Sequence, residues 1–274
     1  MTRTALSILL SFLLTLSVAA QQTSTANPQP LVLLQRSLGA LSGAQTLTDV
    51  TLSGTARRIA GSDDETGTAV FKALALGAGR TDLSLSSGQR SEVCDLSAAT
   101  PAGAWSGPDR ISHPIAFHNL ISEPAWFFPA FAIARRLSAP GYIATYIGHE
   151  THNGQAVEHI SVSQTSSSHS PSGALLLQHL SQIDFFLDST TLLPEAISFN
   201  IHPDDDAGLD IPVEIRYSDY RTVNGTQVPF HIRKFLNNGL TLDLQFSNAV
   251  FNSGLSPSAF TVEAGLQPGS GAQP

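Results

Sequence analysis

In the last third of the chain, apolar and polar residues alternate for strand lengths on either side of two Asn-Gly pairs. Ile211, Val213, Ile215 and Tyr217 share one face, with Glu214, Arg216 and Ser218 on the other. Leu240, Leu242, Leu244 and Phe246 repeat the pattern against Thr241, Asp243 and Gln245. A period of two means an extended chain with one oily side and one wet side. Asn224-Gly225 and Asn238-Gly239 are read as tight type I′ turns, because Asn and Gly tolerate the positive φ that such turns require. Together these features predict an antiparallel meander, with strands over 183–188, 195–201, 211–222, 226–237 and 240–251.

The pattern differs upstream. Leu31, Leu34, Leu38 and Leu41 recur at helical spacing and predict a short amphipathic helix that stops at Gly39 or Gly43. Alternation from Thr46 through Leu52 toward Arg57-Arg58 predicts a strand, with Asp63-Asp64-Glu65 as a charged turn before the next strand from Thr68 to Leu76. Leu83 and Leu85 mark a further strand, which Ser86-Ser87-Gly88-Gln89 turns back toward Glu92-Val93-Cys94. Between 101 and 140, six prolines interrupt the chain so often that only short helical pieces fit, at 113–121 and 125–137. The second of these carries Trp126, Phe127, Phe128 and Phe131, the densest aromatic group in the sequence. Strands resume at Tyr142–Gly148 and Ala156–Gln164 around Asn153-Gly154, and Leu175, Leu176, Leu177 and Leu180 predict one more short helix. The fold class is mainly β, with helices confined to short pieces.

Arg3, the apolar run Ala5–Leu16 and Ser17-Val18-Ala19-Ala20 have the three-part layout of a secretory leader cleaved after Ala20. An apolar run of about 12 residues is too short to span a bilayer as a helix. The expected organisation is a leader over 1–20, a linker over 21–29, a single β-rich domain over 30–262 and a disordered tail over 263–274. The expected location is therefore the periplasm or the exterior. Cys94 is the only cysteine, so no internal disulfide can form and the core alone must hold the exported domain. The formal net charge of −8, with 14 Lys and Arg against 22 Asp and Glu, argues against nucleic acid as a partner.

The sequence carries no motif for catalysis. His149-Glu150-Thr151-His152 lacks one of the residues that would place two imidazoles one helical turn apart, and it leads into a turn, so a solvated hairpin end is expected there. His202 with Asp204, Asp205, Asp206 and Asp210 offers donors for a calcium loop, but Gly208 stands where the ligand at the loop's fifth position is expected, and a solvated inter-strand loop is expected. A G-x-S-x-G nucleophile elbow is absent. Cys94, with no basic neighbour beyond Arg90, is expected to be a buried thiol. Neither catalytic residues, metal ligands nor cofactors are assigned.

Taken as a block, Ile183–Pro194, Ile211–Arg221, Val223–Pro229 and Ala249–Asn252 with Phe260 resemble the C-terminal half of LolA-like outer-membrane lipoprotein-sorting domains. The resemblance covers about a third of the chain and rests on turns and sheet register. It implies an unclosed, curved antiparallel sheet, a half-barrel, whose concave apolar face is covered by short helices and holds a lipid or lipoprotein acyl chain. The Leu31, Trp126 and Leu175 segments would then be the cover. Phe230, Ile232, Leu242 and Leu244 would belong to the inner face. Trp126, Phe127, Phe128 and Phe131 would either complete the core or close over a ligand. Two other readings stand beside a hydrophobic-ligand carrier: an envelope interaction module with a solid core, and an exported hydrolase.

Overall fold

In the computed structural model the described residues are 29–97, 100–166 and 170–261, so the expected leader, nearly all of the linker and the expected tail lie outside them. The chain opens with α1 (Pro30–Ser42), which passes through Gly39 and ends where Gly43 takes a φ of 56°. Pro30 suits the first turn, where its missing N–H has no helical partner to lose. Six strands follow: β1 (Asp49–Ala60), β2 (Asp63–Leu74), β3 (Ala78–Leu85), β4 (Gly88–Asp95), β5 (Ala102–Ser106) and β6 (Ser112–Pro114). Next come α2 (Phe117–Leu120), α3 (Pro129–Ser138), β7 (Tyr142–His152), β8 (Gln155–Gln164) and α4 (Pro171–Leu180). The meander closes the chain with β9 (Ile183–Asp188), β10 (Pro194–Ile201), β11 (Ile211–Val223), β12 (Thr226–Leu236) and β13 (Gly239–Phe251), before a 3-10 turn at Pro257–Phe260.

The strands form one antiparallel sheet of 13, ordered β6-β5-β4-β3-β2-β1-β13-β12-β11-β10-β9-β8-β7. Only the β1–β13 pairing joins distant parts of the sequence; every other neighbour is also a neighbour along the chain. The sheet is curved and unclosed, and β6 and β7 are its two free edges. Register shifts at Ser53/Gly54, Tyr146/Gly148, Pro194/Ala196 and Lys234/Phe235 bend individual strands.

The concave face holds the main core. Val50, Leu52, Phe71, Ile160, Phe185, Ile197, Ile215, Ile232 and Leu244 are each buried on it. Over this face lie α1 and α3, packed against each other, with Leu33, Leu34 and Leu41 of one and Phe131 and Ile133 of the other buried in the core. Between α2 and α3 the chain descends onto the sheet, where the Pro124 carbonyl occupies the space a side chain at Gly79 would need.

Several sequence expectations are corrected. Asp63-Asp64-Glu65 is the start of β2, and the turn is formed by Gly61-Ser62. The proline-rich middle contains β5 and β6, short strands with no strong alternation. Trp126, Phe127 and Phe128 precede α3, because Pro129 starts that helix and disfavours helical backbone just before it. The hairpin expected at Asn238-Gly239 turns instead on Asn237-Asn238, with φ of 47° and 63°, leaving Gly239 paired with Leu236 in the ladder. Asn224-Gly225 turns as expected, with φ of 49° and 84°. Finally, α4 rests on β8 with Leu180 buried and Leu175 and Leu176 exposed, so the cover of the concave face is α1, α3 and the Trp126 segment.

Candidate functional site

The Trp126 segment is fixed from both ends. Glu123, buried on the concave side, accepts hydrogen bonds from the Ala125 N–H and from Arg136 Nη1, and Arg135 Nε lies 3.5 Å from the same carboxylate. Burial alone would raise the Glu123 carboxyl, but the two guanidiniums outweigh it and hold the group below the usual carboxylate range. From the sheet, Tyr217 donates its hydroxyl to the Trp126 carbonyl at 2.5 Å. Phe71 then meets the rings of Trp126, Phe127 and Phe246 edge-on, at 5.6, 5.0 and 5.7 Å between centroids.

All eight residues expected to meet a ligand are buried on the concave side. Phe127, Phe128, Phe131, Phe230, Ile232 and Leu244 sit in the packed core, while Trp126 and Leu242 also reach the wall of a cavity. The structure therefore divides the expected group into interior residues and two boundary residues.

That boundary is an open trough at the rim of the half-barrel, beside the β1–β2 and β12–β13 turns. Its largest lobe has a volume of about 570 Å³ and is walled by Leu83, Ile201, Leu236, Leu240 and Leu242, with Arg58 and Lys234 among its lining. A second lobe of about 270 Å³ shares Ile201 and Lys234 with the first and reaches Cys94, Trp105, Trp126 and His202. A third of about 260 Å³ shares Glu92 and Trp105 with the second and Arg58 and Leu83 with the first. The three hollows are neighbours along the rim and share wall residues.

Its cations were legible in the register, though sequence reasoning missed them. Arg58 and Lys234 both pair with Leu242, so all three point the same way across β1, β13 and β12. Lys234 holds the same parity as Phe230 and Ile232; a charged residue in phase with an apolar face was the available signal. The Lys234 ammonium lies 4.9 Å from the Trp126 ring centroid, a cation–π distance. Arg58 and Arg90 stand 3.5 and 3.7 Å from Glu65 Oε2, yet Arg58 Nη1 and Arg90 Nε are buried without a hydrogen-bond partner. Burial foremost, then the negative charge of Glu92 and Glu123, push the Cys94 thiol up to about 12, which disfavours the nucleophilic thiolate.

The histidines fall into separate groups. His149, His152 and His159 lie near one end of the β7–β8 hairpin with Glu158, Glu214 and Asp184 as partners, His152 stacks on Phe186 at 3.7 Å, and the segment is strand and turn as expected. His231 pairs with Asp243. Among the described residues, no helix is long and apolar enough to cross a membrane.

No protein-family model and no curated protein sequence matches this chain. Solved structures do. An outer-membrane lipoprotein-sorting protein domain from Vibrio parahaemolyticus superposes with a TM-score of 0.54 at 15% identity, over 84% of this chain and 95% of that one. A LolA superfamily protein from Nitrosomonas europaea gives 0.52 at 11% identity, over 85% and 97%. A DUF1329 family protein from Desulfovibrio piger gives 0.52 at 12%, over 85% and 95%. At such identities the likeness is one of architecture, and with its open sheet, helical cover and meander order this chain has the fold of the LolA-like lipoprotein-sorting domains.

Proposed function

We propose that this protein is an exported, non-enzymatic envelope protein that binds the apolar part of a lipid or lipoprotein acyl ligand in the trough of its half-barrel. The observation that carries the reading is the uncovered apolar lobe of about 570 Å³ at the rim of the concave face. Small-molecule sites commonly fall in the range of about 300–1,000 Å³ and are mostly apolar with a few placed polar groups. Here Ile201, Leu236, Leu240 and Leu242 supply the apolar wall, and Arg58 and Lys234 supply the polar groups. Trp126 and Leu242 touch the ligand directly. Phe127, Phe128, Phe131, Phe230, Ile232 and Leu244 form the floor and the inner side of the cover, and a longer chain reaches them when the Trp126 segment shifts. The leader-like N-terminus supports export, and the fold supports a place among envelope carriers.

Solvent extraction of protein purified from its native envelope, followed by mass spectrometry, is expected to yield a stoichiometric hydrophobic molecule, and the ligand-stripped protein should take up a fluorescent fatty acid. Ile201→Trp, which fills the trough from its margin, should reduce uptake at least about tenfold without lowering the melting temperature, the loss of about 1.4 kcal/mol of binding. Repeated preparations with no ligand and no uptake would favour a ligand-free interaction module, for which the full burial of Phe127 and Phe128 speaks.

A further inference from the structure

The loop between β10 and β11 brings together three side chains from separate places in the chain. His179 stands in the last turn of α4, His202 directly after β10 and Asp210 directly before β11. The Nε2 atoms of the two histidines lie 2.9 and 3.0 Å from the same oxygen, Asp210 Oδ1, and the three donor atoms lie within 4.8 Å of one another. The acidic run before them does not join the cluster: Asp206 accepts from the Gly208 N–H, and Asp204 lines the trough.

We infer that His179, His202 and Asp210 form a site for a zinc-class divalent cation, which clips α4 to the β10–β11 loop. Tetrahedral zinc at about 2.0–2.1 Å from nitrogen and 2.0–2.2 Å from oxygen holds its donors about 3.3 Å apart. Both histidine–aspartate separations fall a few tenths of an ångström short of that value, and the two imidazole nitrogens lie within 4.8 Å of each other. Without the metal each imidazole donates an Nε2 proton to Asp210; on binding, that proton leaves to solvent from an imidazolium or moves to Nδ1 of a neutral ring, so that two neutral imidazoles offer their Nε2 lone pairs to the cation beside the carboxylate oxygen. Two nitrogens and one oxygen disfavour calcium and magnesium, which select all-oxygen shells.

His202 makes the site a built one. Its side chain is 1% exposed, and Asn119 grips its backbone twice, accepting from the His202 N–H at 2.9 Å and donating to the His202 carbonyl at 2.7 Å. Among the described residues its Nδ1 is buried without a hydrogen-bond partner, its Nε2 meets Asp210, and the rings of His118 and His179 lie edge-on to it at 5.9 and 5.7 Å. His179 and Asp210 are each 41% exposed, which gives the ion a path from solvent and leaves a fourth position for water. The clip also answers a structural need, since α4 buries only Leu180 of its own residues.

Isothermal titration of the chelator-treated protein with zinc chloride tests this, with cobalt(II) absorption as a second readout. A single equivalent should bind, cobalt should give the intense visible bands of tetrahedral coordination, and zinc should raise the melting temperature. His179→Ala and Asp210→Asn, both at exposed positions, should each weaken zinc affinity at least about tenfold and abolish the zinc-dependent rise in melting temperature, each variant being compared with its own metal-free form. His202 is too buried for its variant to be informative. Absence of zinc binding, or equal affinity and stoichiometry in the wild type and His179→Ala, would overturn the assignment; the second outcome would place the ion at another histidine group. Fatty-acid uptake in the presence and absence of zinc is a separate measurement, so either result leaves the trough reading to its own test.

Discussion

Glu123 shows how one side chain can set the shape of a cover. Its carboxylate is 1% exposed and meets two guanidiniums and a backbone N–H, so it ties α3 to the segment that seats Trp126, Phe127 and Phe128. A charge buried in this way is weak evidence of net stabilisation, but its removal leaves its partners unpaired. Glu123→Gln is therefore expected to cost about 3–5 kcal/mol in urea denaturation, through an orphaned Arg136. Linkage sets the pH window. A carboxyl held below its ordinary value of 4.5 contributes stability that is fully present above that value and is lost as pH falls through the folded-state value. The wild type should lose stability as acid is added below pH 4.5, and Glu123→Gln should flatten part of that acid limb, as measured by denaturant melts across the range. The sequence displays Glu123 as one more acidic residue in a proline-rich stretch. Its partners Arg135 and Arg136 are a helix away, and their convergence depends on how α3 folds back, which local pattern does not encode.

Among the elements, legibility follows period and length. The meander strands β9–β13 and the β7–β8 hairpin were readable because each runs six residues or more, and in most of them one face is the more buried, so the phase of alternation fixes which side is oily. The strands β5 and β6, five and three residues long, give too little alternation to register, and proline flanks them. The misplaced β12–β13 turn has a specific cause. Asn237 and Asn238 both tolerate the left-handed region, so the three-residue run Asn-Asn-Gly offers two possible two-residue loops, and the ladder selects the one that pairs Leu236 with Gly239. Left-handed backbone costs a residue with an ordinary side chain about 1–2 kcal/mol. Asn238→Ala should accordingly destabilise the fold by about 1 kcal/mol in chemical denaturation, whereas the same change at Gly239, which no longer needs positive φ, should be close to neutral.

For the whole molecule, the trough exists because the sheet curls while the helices seal only part of its hollow. Arg58 and Lys234 flank Leu242 across its wall, and their meeting there depends on the pairing of β1 with β13, nearly two hundred residues apart in sequence. That long-range closure is why the architecture was readable from local pattern and the trough wall was not.

An unclosed wall also leaves two rims of unpaired backbone, and the rims are treated differently. At one end β6 is three residues long and stops at Pro114, so it offers a newcomer almost no ladder to copy. At the other, β7 runs for eleven residues and is interrupted by a bulge, with the extra residue Ile147 thrown outward, 53% exposed, next to Gly148. The bulge works as a breakwater: it crooks the rim so that a second molecule cannot zip along its full length. Deleting Ile147 would straighten that border, and the variant is expected to self-associate edge to edge in size-exclusion chromatography at concentrations where the parent remains unchanged.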